Sequence, residues 1–309
     1  MMRLFTGVRL RALAFVLGSS AISAALAQSV LPPASALPEV GFAVIKTSKV
    51  SVREGLLKPG GSFLKKIDSN FSAFLIKHKQ AYLLFDTGMG TRIAEQYGQD
   101  MALWRRPFFN YEEPVVPARV QLDRAGWAPL TQVILSHSHW DHASGVTDFP
   151  EARIGVSANE LASVRHPTGG AGGTWASQVT GPSITWQVLE FSDGPYMGYP
   201  KSLDLYRDGK VVLVPMPGHT PGSLGLFVTV DSGQVYFLIR DVAWTADAVR
   251  AGAPKFWAAG LMVDGVADQT QRSVEQVRDL LRQHPSMVVV PAHDSEVQDR
   301  LGYFPNWVK

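Results

Sequence analysis

Short apolar runs bounded by polar or glycine-containing turns recur along the chain and predict β-strands. Three pairs of runs have only a short polar turn between them, and such pairs predict hairpins. These pairs are Phe71–Lys77 with Ala81–Phe85, Leu203–Tyr206 with Val211–Val214, and Leu224–Val230 with Val235–Ile239. Two further runs, Val133–Leu135 and Met287–Val290, predict short buried strands.

One late segment has the periodicity of a helix instead. Val274, Val277 and Leu280 fall on one helical face, and Pro285 ends the pattern. Strands and helices are mixed along the chain without a break in composition. The sequence therefore predicts a single α/β domain over residues 38–309.

Several segments follow neither periodicity and predict long loops. They are Val50–Phe63, the aromatic and charged segment Asp100–Pro117, the glycine-rich Thr168–Thr174, and Arg250–Leu261. Long loops in a compact domain often border a binding site.

The first 27 residues resemble an export signal. Arg3, Arg9 and Arg11 precede the apolar stretch Ala12–Leu17, and Ala25-Leu26-Ala27 forms a cleavage pattern before position 28. The apolar stretch is too short for the ~20 residues of a membrane anchor. We expect cleavage, a Pro/Ala/Ser-rich tether at residues 28–37, and a periplasmic or secreted protein with no stable membrane anchor.

The charge balance changes once this signal is set aside. The whole chain has 29 basic and 27 acidic residues, and removal of the three arginines leaves 26 basic residues and a net charge of −1. A near-neutral body argues against a nucleic-acid partner, because phosphate binding needs a basic surface. The chain has no cysteine, so a sizeable core or bound metal must stabilise the exported protein.

The strongest chemical signal is the segment His137-Ser138-His139-Trp140-Asp141-His142. It holds three of the eight histidines and follows the predicted strand Val133–Leu135 directly. Three more polar residues also come just after predicted strands: His219, Asp241 and His293. Strand ends at a common sheet edge bring such side chains together. Five imidazoles and two carboxylates suit two divalent ions, with zinc the default and manganese, cobalt or iron also compatible.

This HxHxDH pattern with its downstream ligands resembles the metallo-β-lactamase superfamily. The resemblance extends from about Phe71 to Asp294. It implies an αβ/βα sandwich, two mixed β-sheets flanked by helices. It assigns a first metal to His137, His139 and His219, and a second to Asp141, His142 and His293. Asp241 would bridge the two ions, with a hydroxide between them.

The same pattern predicts a hydrolase, because two close divalent ions activate water and polarise a carbonyl or phosphoryl oxygen. Asp141 and Asp241 are the predicted catalytic carboxylates, and Asp141 would pass a proton to the leaving group. Asp86 either supports a metal ligand or caps a turn. A non-enzymatic metal-binding protein is the alternative of a different class.

Within the superfamily, the long N-terminal section is similar to that of N-acyl homoserine lactone lactonases and of related secreted organophosphate hydrolases. We therefore predict lactone ring opening, hence quorum quenching, on a small-molecule ester or lactone. The alternatives are organophosphate or arylester hydrolysis, or another dinuclear hydrolase such as a β-lactamase. An apolar N-terminal loop is a candidate surface for a homodimer.

The substrate site is predicted from aromatic residues that line an apolar slot or else pack in the core. Trp244, Phe108 and Phe109 are the main candidates, and the wider set adds Trp104, Phe256 and Trp257. Many of these lactonases carry a tyrosine three residues after the bridging aspartate, where this chain has Trp244. Arg240 likewise stands where a glycine is more usual.

Overall fold

Two mixed β-sheets form the centre of the molecule. The computed structural model of the chain describes residues 37–309, so the predicted signal peptide and most of the predicted tether lie outside the described residues. The first sheet contains, in spatial order, β1 (Val40–Arg53), β2 (Lys66–His78), β3 (Ala81–Phe85), β4 (Gln132–Ile134), β5 (Arg153–Val156) and β6 (Thr185–Val188). The second contains β7 (Leu203–Asp204), β8 (Val211–Pro215), β9 (Leu224–Thr229), β10 (Val235–Arg240) and β11 (Val288–Pro291), in the order β11-β10-β9-β8-β7.

Both sheets combine parallel and antiparallel neighbours. In the first sheet β1, β2 and β3 are antiparallel, and β3 to β6 run parallel to one another. In the second sheet only β10 and β11 are parallel. The parallel pairs matter for function because consecutive strands then end at the same edge.

Helices cover the outer faces of the sheets. They are α1 (Glu54–Leu57), α2 (Ile93–Asp100), α3 (Ala118–Arg124), α4 (Trp140–Ala143), α5 (Ala158–Arg165), α6 (Ala176–Val179), α7 (Ala246–Ala251), α8 (Trp257–Val263), α9 (Ala267–Gln283) and α10 (Ser295–Leu301), with a 3₁₀ turn at Val146–Asp148. None of the helices in residues 37–309 combines the length and apolar character that a membrane span requires.

Alternation along each strand divides the core into layers. On β2, Phe74 and Ile76 belong to the cluster between the two sheets, whereas Ala73 and Leu75 pack under the helices outside the first sheet. Val274 and Val277 of α9 bury the opposite face of the second sheet. Each fully buried Phe, Ile or Val side chain contributes roughly 1.5–3 kcal/mol. The predicted αβ/βα sandwich of two mixed sheets is therefore confirmed.

The three predicted hairpins and the late helix are present, but two loop predictions were wrong. Val50–Phe63 is not a plain loop, since β1 continues to Arg53 and α1 follows at once. Most of Arg250–Leu261 is helical, in α7 and α8. The small residues of α8 were taken for a loop, although alanine is the best helix former. Asp100–Pro117 and Thr168–Thr174 contain no further helix or strand, apart from Asp100 itself, which ends α2.

Candidate metal centre

Four strand ends converge on one edge of the sandwich and carry the predicted metal ligands. The ligands come from the turn after β4 and the adjoining α4, and from the turns after β8, β10 and β11. They are His137, His139, Asp141, His142, His219, Asp241 and His293, and all of them are buried. The chain thus brings together seven side chains that span more than 150 positions of the sequence.

These side chains fall into two groups. The first group is His137, His139 and His219, and the second group is Asp141, His142, Asp241 and His293. In each group the potential ligand atoms all lie within 4.8 Å of one another. The rings of the first group have centroids 4.5 to 4.7 Å apart.

Asp241 reaches both groups. Its Oδ2 lies 3.5 Å from Nε2 of His219 and 3.2 Å from Nε2 of His293. Its Oδ1 lies 3.2 Å from Nε2 of His142. A carboxylate in this position suits the bridging role that the resemblance implies. Asp141 belongs to the second group alone, with Oδ2 3.4 Å from His293 Nε2 and 3.5 Å from His142 Nε2.

The imidazoles are aimed inward by hydrogen bonds on their outer nitrogen. Nδ1–H of His142 donates to Asp86 at 2.8 Å, that of His219 to Asp264 at 2.7 Å, and that of His293 to the Asn70 carbonyl at 2.9 Å. In a neutral imidazole whose proton is on Nδ1, Nε2 is an electron-pair donor, and here it is directed toward the centre. The buried Nε2 atoms of His137, His142 and His219 accordingly have no hydrogen-bond partner.

Asp86 supports both groups. Besides His142, it accepts hydrogen bonds from the backbone N–H and the hydroxyl of Ser136, at 2.6 and 2.8 Å. The Ser136 hydroxyl in turn lies 3.0 Å from Nδ1 of His137. Asp86 therefore contacts one predicted ligand, His142, directly, which agrees with one of its two sequence interpretations.

Arg240 is the buried counter-charge of Asp86. Its Nε donates to Asp86 Oδ2 at 2.5 Å and its Nη2 to the Ser72 carbonyl at 3.0 Å. Both Asp86 and Arg240 have positive φ values, 59° and 50°. Residues other than glycine adopt this region at a cost, and such strain tends to lie at functional sites.

The histidines of the two groups have pKa values shifted in opposite directions. Burial, followed by the neighbouring imidazoles, holds the pKa values of His137 and His139 well below their usual range, while burial and then Lys255 lower that of His219. Burial also opposes protonation of His142, but Asp141, Asp241 and Asp86 outweigh it and raise its pKa to about 10. In the protein without metal, a proton on His142 therefore offsets part of the surrounding negative charge.

The donor set fits divalent metal ions. Burial alone would raise the pKa of Asp241, but His293 and His142 hold it well below its ordinary value, so Asp241 is anionic. Neutral imidazoles with carboxylates suit zinc and related ions, and a cation entering the second group would displace the imidazole protons. The residues present thus fit two ions, although their assignment as ligands stays a prediction.

An apolar cavity of about 560 Å³ opens above the two groups. Asp141, Asp241 and His293 are part of its floor. Its walls are mainly apolar and come from β1, the segment after α2, and α8. The main wall residues are Val50, Val52, Phe71, Phe108, Phe109, Trp140, Trp244, Phe256, Met262 and Val263.

The predicted substrate residues have different outcomes. Trp244, Phe108 and Phe109 line the cavity, and Trp244 Nε1 lies 3.4 Å from Asp241 Oδ2 as a weak donor. Trp104 and Trp257 do not line it, since they are 62% and 71% exposed. The reason for Trp257 is that α8 turns its alanine and methionine side chains toward the cavity instead.

Sequence reasoning missed several residues of the centre. Glu160 accepts hydrogen bonds from the backbone N–H and hydroxyl of Ser138 and from the Thr220 hydroxyl, so it fixes two ligand-bearing turns together. Asp264 and Lys255 support His219 from outside. No local pattern marks these three residues. Their roles follow from contacts between distant segments.

Comparison with known proteins places the chain in a family. The profile of the metallo-beta-lactamase superfamily matches residues 70–293. The N-acyl homoserine lactonase AttM of Rhizobium radiobacter is 28% identical over 232 residues, which cover 72% of this chain and 81% of AttM. A probable metallo-hydrolase of Mycobacterium tuberculosis is 30% identical over 242 residues, which cover 72% of this chain and 74% of that protein.

A solved structure agrees on the fold. An N-acyl homoserine lactone hydrolase, determined with the product N-hexanoyl-L-homoserine at its catalytic metal centre, has a TM-score of 0.66 at 18% identity. The match covers 88% of this chain and 100% of that chain. Together with the profile match, these findings show that the chain belongs to the metallo-beta-lactamase superfamily.

Proposed function

We propose that this member of the metallo-beta-lactamase superfamily is a dinuclear metal-dependent hydrolase that opens the ring of N-acyl homoserine lactones. The observation that carries the proposal is the position of the two ligand groups at the floor of an apolar cavity. The similarity to AttM supports the lactone as substrate, because AttM is an N-acyl homoserine lactonase.

The proposed reaction combines the chemistry of two bound ions with proton transfer by Asp141. Two divalent ions in the two groups would polarise the ester carbonyl and activate a water molecule. The carboxylate of Asp141 faces the cavity and is positioned to accept a proton from the attacking water. It then returns this proton to the ring oxygen as the C–O bond breaks. One water is consumed, and a hydroxy acid is the product.

The cavity walls favour a substrate with a long apolar part. Phe108 and Phe109 lie at one side, and Trp244 lies close to the floor, where its ring contacts that of His293 at a centroid distance of 6.0 Å. A polar homoserine lactone head at the floor and an acyl chain along these rings would match this arrangement.

The direct test is mass spectrometry of a long-chain N-acyl homoserine lactone after incubation with the zinc-loaded mature protein at neutral pH. We expect a rapid gain of one water, and no gain with a His137→Ala variant at the same concentration. If protein shown to hold two ions leaves the lactone intact, lactone opening is rejected.

A second candidate, arylester or organophosphate hydrolysis, is favoured by Trp244. Its indole N–H points at Asp241 and offers no hydroxyl to a lactone carbonyl. Aromatic rings on several sides of the cavity also suit an aryl leaving group. An aryl ester, an aryl phosphotriester and a β-lactam should be assayed beside the lactone with the same preparation. The largest kcat/KM then decides the substrate class.

We also propose that the protein is exported with cleavage before Gln28 and that the mature chain forms a homodimer. N-terminal sequencing of protein recovered from the periplasm or the medium should give Gln28 as the first residue. Light scattering should give twice the mass of the mature chain if the protein is a homodimer. Retention of residues 1–27, or a monomeric mass at micromolar concentration, would reject these two expectations.

A further inference from the structure

A buried lysine lies behind the first group. The side chain of Lys255 is 1% exposed, and its Nζ donates to Asp264 Oδ1 at 2.8 Å. The same carboxylate oxygen accepts the Nδ1–H of His219 at 2.7 Å. Lys255 is not among the residues that form the cavity wall. Besides Asp264, its Nζ lies 3.5 Å from the Val242 carbonyl and 5.8 Å from the centroid of the Trp244 ring.

The second group has the same three-part arrangement. There Arg240 donates to Asp86 at 2.5 Å, and Asp86 accepts the Nδ1–H of His142 at 2.8 Å. Each group therefore has one imidazole bonded to a buried carboxylate that is itself paired with a buried cation. The two arrangements use different segments of the chain, so neither follows from the other.

Lys255 and Asp264 are also held in place by the backbone. Lys255 lies just before α8, and Asp264 directly follows it. The next residue, Gly265, donates its N–H to the His219 carbonyl at 2.9 Å. The two ends of α8 thus hold the ammonium of Lys255 and the carboxylate of Asp264 near His219. The same helix forms part of the cavity wall.

The positive charge of Lys255 offsets the negative charge of Asp264. A carboxylate behind a ligand imidazole makes that imidazole a stronger donor and adds negative charge near the ion. Such charges act strongly where water is excluded. We propose that Lys255 is a positioning residue that cancels the charge of Asp264 and thereby sets the affinity of the first group for its divalent ion. The inference rests on the proposed dinuclear centre.

Opposite substitutions separate this role from a packing role. Asp264→Asn leaves the Lys255 cation without its carboxylate, so zinc affinity at the first group should fall on the order of 10- to 100-fold. Lys255→Met leaves the Asp264 anion behind His219, so the affinity should rise by about tenfold or more. The double variant has neither charge and should return toward wild-type affinity, and Lys255→Arg should match the wild type.

The experiment is titration of the metal-free protein with zinc against a chromophoric chelator, which resolves the two dissociation constants. His219→Ala identifies which constant belongs to the first group. Lys58→Met is the matched control, because Lys58 pairs with Glu296 and Asp247, neither of which contacts a ligand imidazole. Circular dichroism checks that each variant is folded.

The outcomes are distinct. A fall in affinity for both single variants and the double variant would mean that the pair only packs, and it would overturn the inference. Unchanged affinity for Lys255→Met would do the same. If Lys255→Met does not fold, the double variant decides, since wild-type affinity supports charge cancellation and a loss contradicts it. Wild-type protein that binds fewer than two ions would instead reject the proposed function.

Discussion

Replacement of Arg240 by methionine tests how much the buried ion pair behind the second group stabilises the fold. The pair is nearly inaccessible, with side-chain exposures of 2% for Arg240 and 0% for Asp86. The substitution removes the hydrogen bonds to Asp86 and Ser72 and the contact of the guanidinium with the Phe74 ring, whose centroid lies 4.7 Å away. Arginine and methionine pay a similar cost for the positive φ at position 240, so this cost cancels in the comparison of variant and wild type.

The size of the effect follows from the charge left behind. Loss of one partner of a buried ion pair costs about 3–5 kcal/mol, because the other charge stays in a poorly solvating interior. Asp86 keeps its hydrogen bonds from Ser136 and His142, so we expect a value near the lower end, about 3 kcal/mol. For a domain of this size, this corresponds to a melting temperature lower by roughly 6–12 °C.

The assay is urea unfolding at pH 7 with a chelator present, so that metal binding does not contribute to stability. Arg119→Met is the control, since Arg119 pairs with Asp123 and Glu151 at the surface and should cost no more than about 1 kcal/mol. Combining Arg240→Met with Asp86→Asn should cost clearly less than the sum of the single changes. The reasoning is refuted if Arg240→Met stays within about 1 kcal/mol of wild type and the two changes add.

Four further predictions concern the centre and the cavity. Asp241→Asn should lower metal content and activity together, because Asp241 reaches both groups; elemental analysis showing two ions at full rate would exclude the bridging role. His219→Ala should remove one ion per chain, and an unchanged zinc content would reject its place in the first group. Trp244→Tyr should raise lactone turnover if the position serves a carbonyl oxygen, whereas an unchanged kcat/KM would mean that Trp244 is structural. Despite burial, Arg240 and His142 hold the pKa of Asp86 below its ordinary value, and His219 and Lys255 do the same for Asp264. The stability that these two carboxylates contribute is therefore complete above about pH 4 and lost as the pH falls. An unfolding free energy that stays constant from about pH 5 to 2.5 would contradict this.

The convergence of the predicted ligands could be predicted because it depends on local pattern. His137 and His139 alternate just after a short strand, which places both in the first group, as the structure has them. His219, Asp241 and His293 each follow a strand that apolar runs predict. The parallel pairing of β10 with β11 then brings the last two to one edge.

Apart from Asp86, for which support of a ligand was one of two interpretations, the supporting residues were not predictable because they act across long separations in sequence. Arg240 and Asp86 are 154 positions apart, and Asp264 is 45 positions from His219. The periodicity of apolar and polar residues gives no information about pairs so far apart in sequence. Arg240 was noted only as an unusual residue beside Asp241, and the structure explains it as the buried counter-charge of Asp86.

The cavity walls were predicted in part. Aromatic character indicated Phe108 and Trp244, which do line the cavity, but it does not determine the direction in which a side chain points. Trp257 is exposed, while Trp140, beside the ligands in sequence, lines the cavity. The prediction failed where a helix, α8, replaced the expected loop, because the helix fixes the direction of every side chain on it.

This division between floor and walls bears on the choice of substrate. The predicted ligands lie at strand ends, buried and supported by paired charges, so we expect a change there to alter metal binding before it alters specificity. The walls come mainly from β1, the segment after α2 and α8, and they meet the ligand groups at Trp244, which contacts Asp241 and His293, and at Phe71, which contacts His293. We therefore expect wall substitutions to change the substrate class without changing the metal content. It follows that lactone and aryl substrates are best distinguished with Trp244, Phe108 and Phe109 variants that keep wild-type metal content, since a loss of activity in a ligand variant would occur with either class.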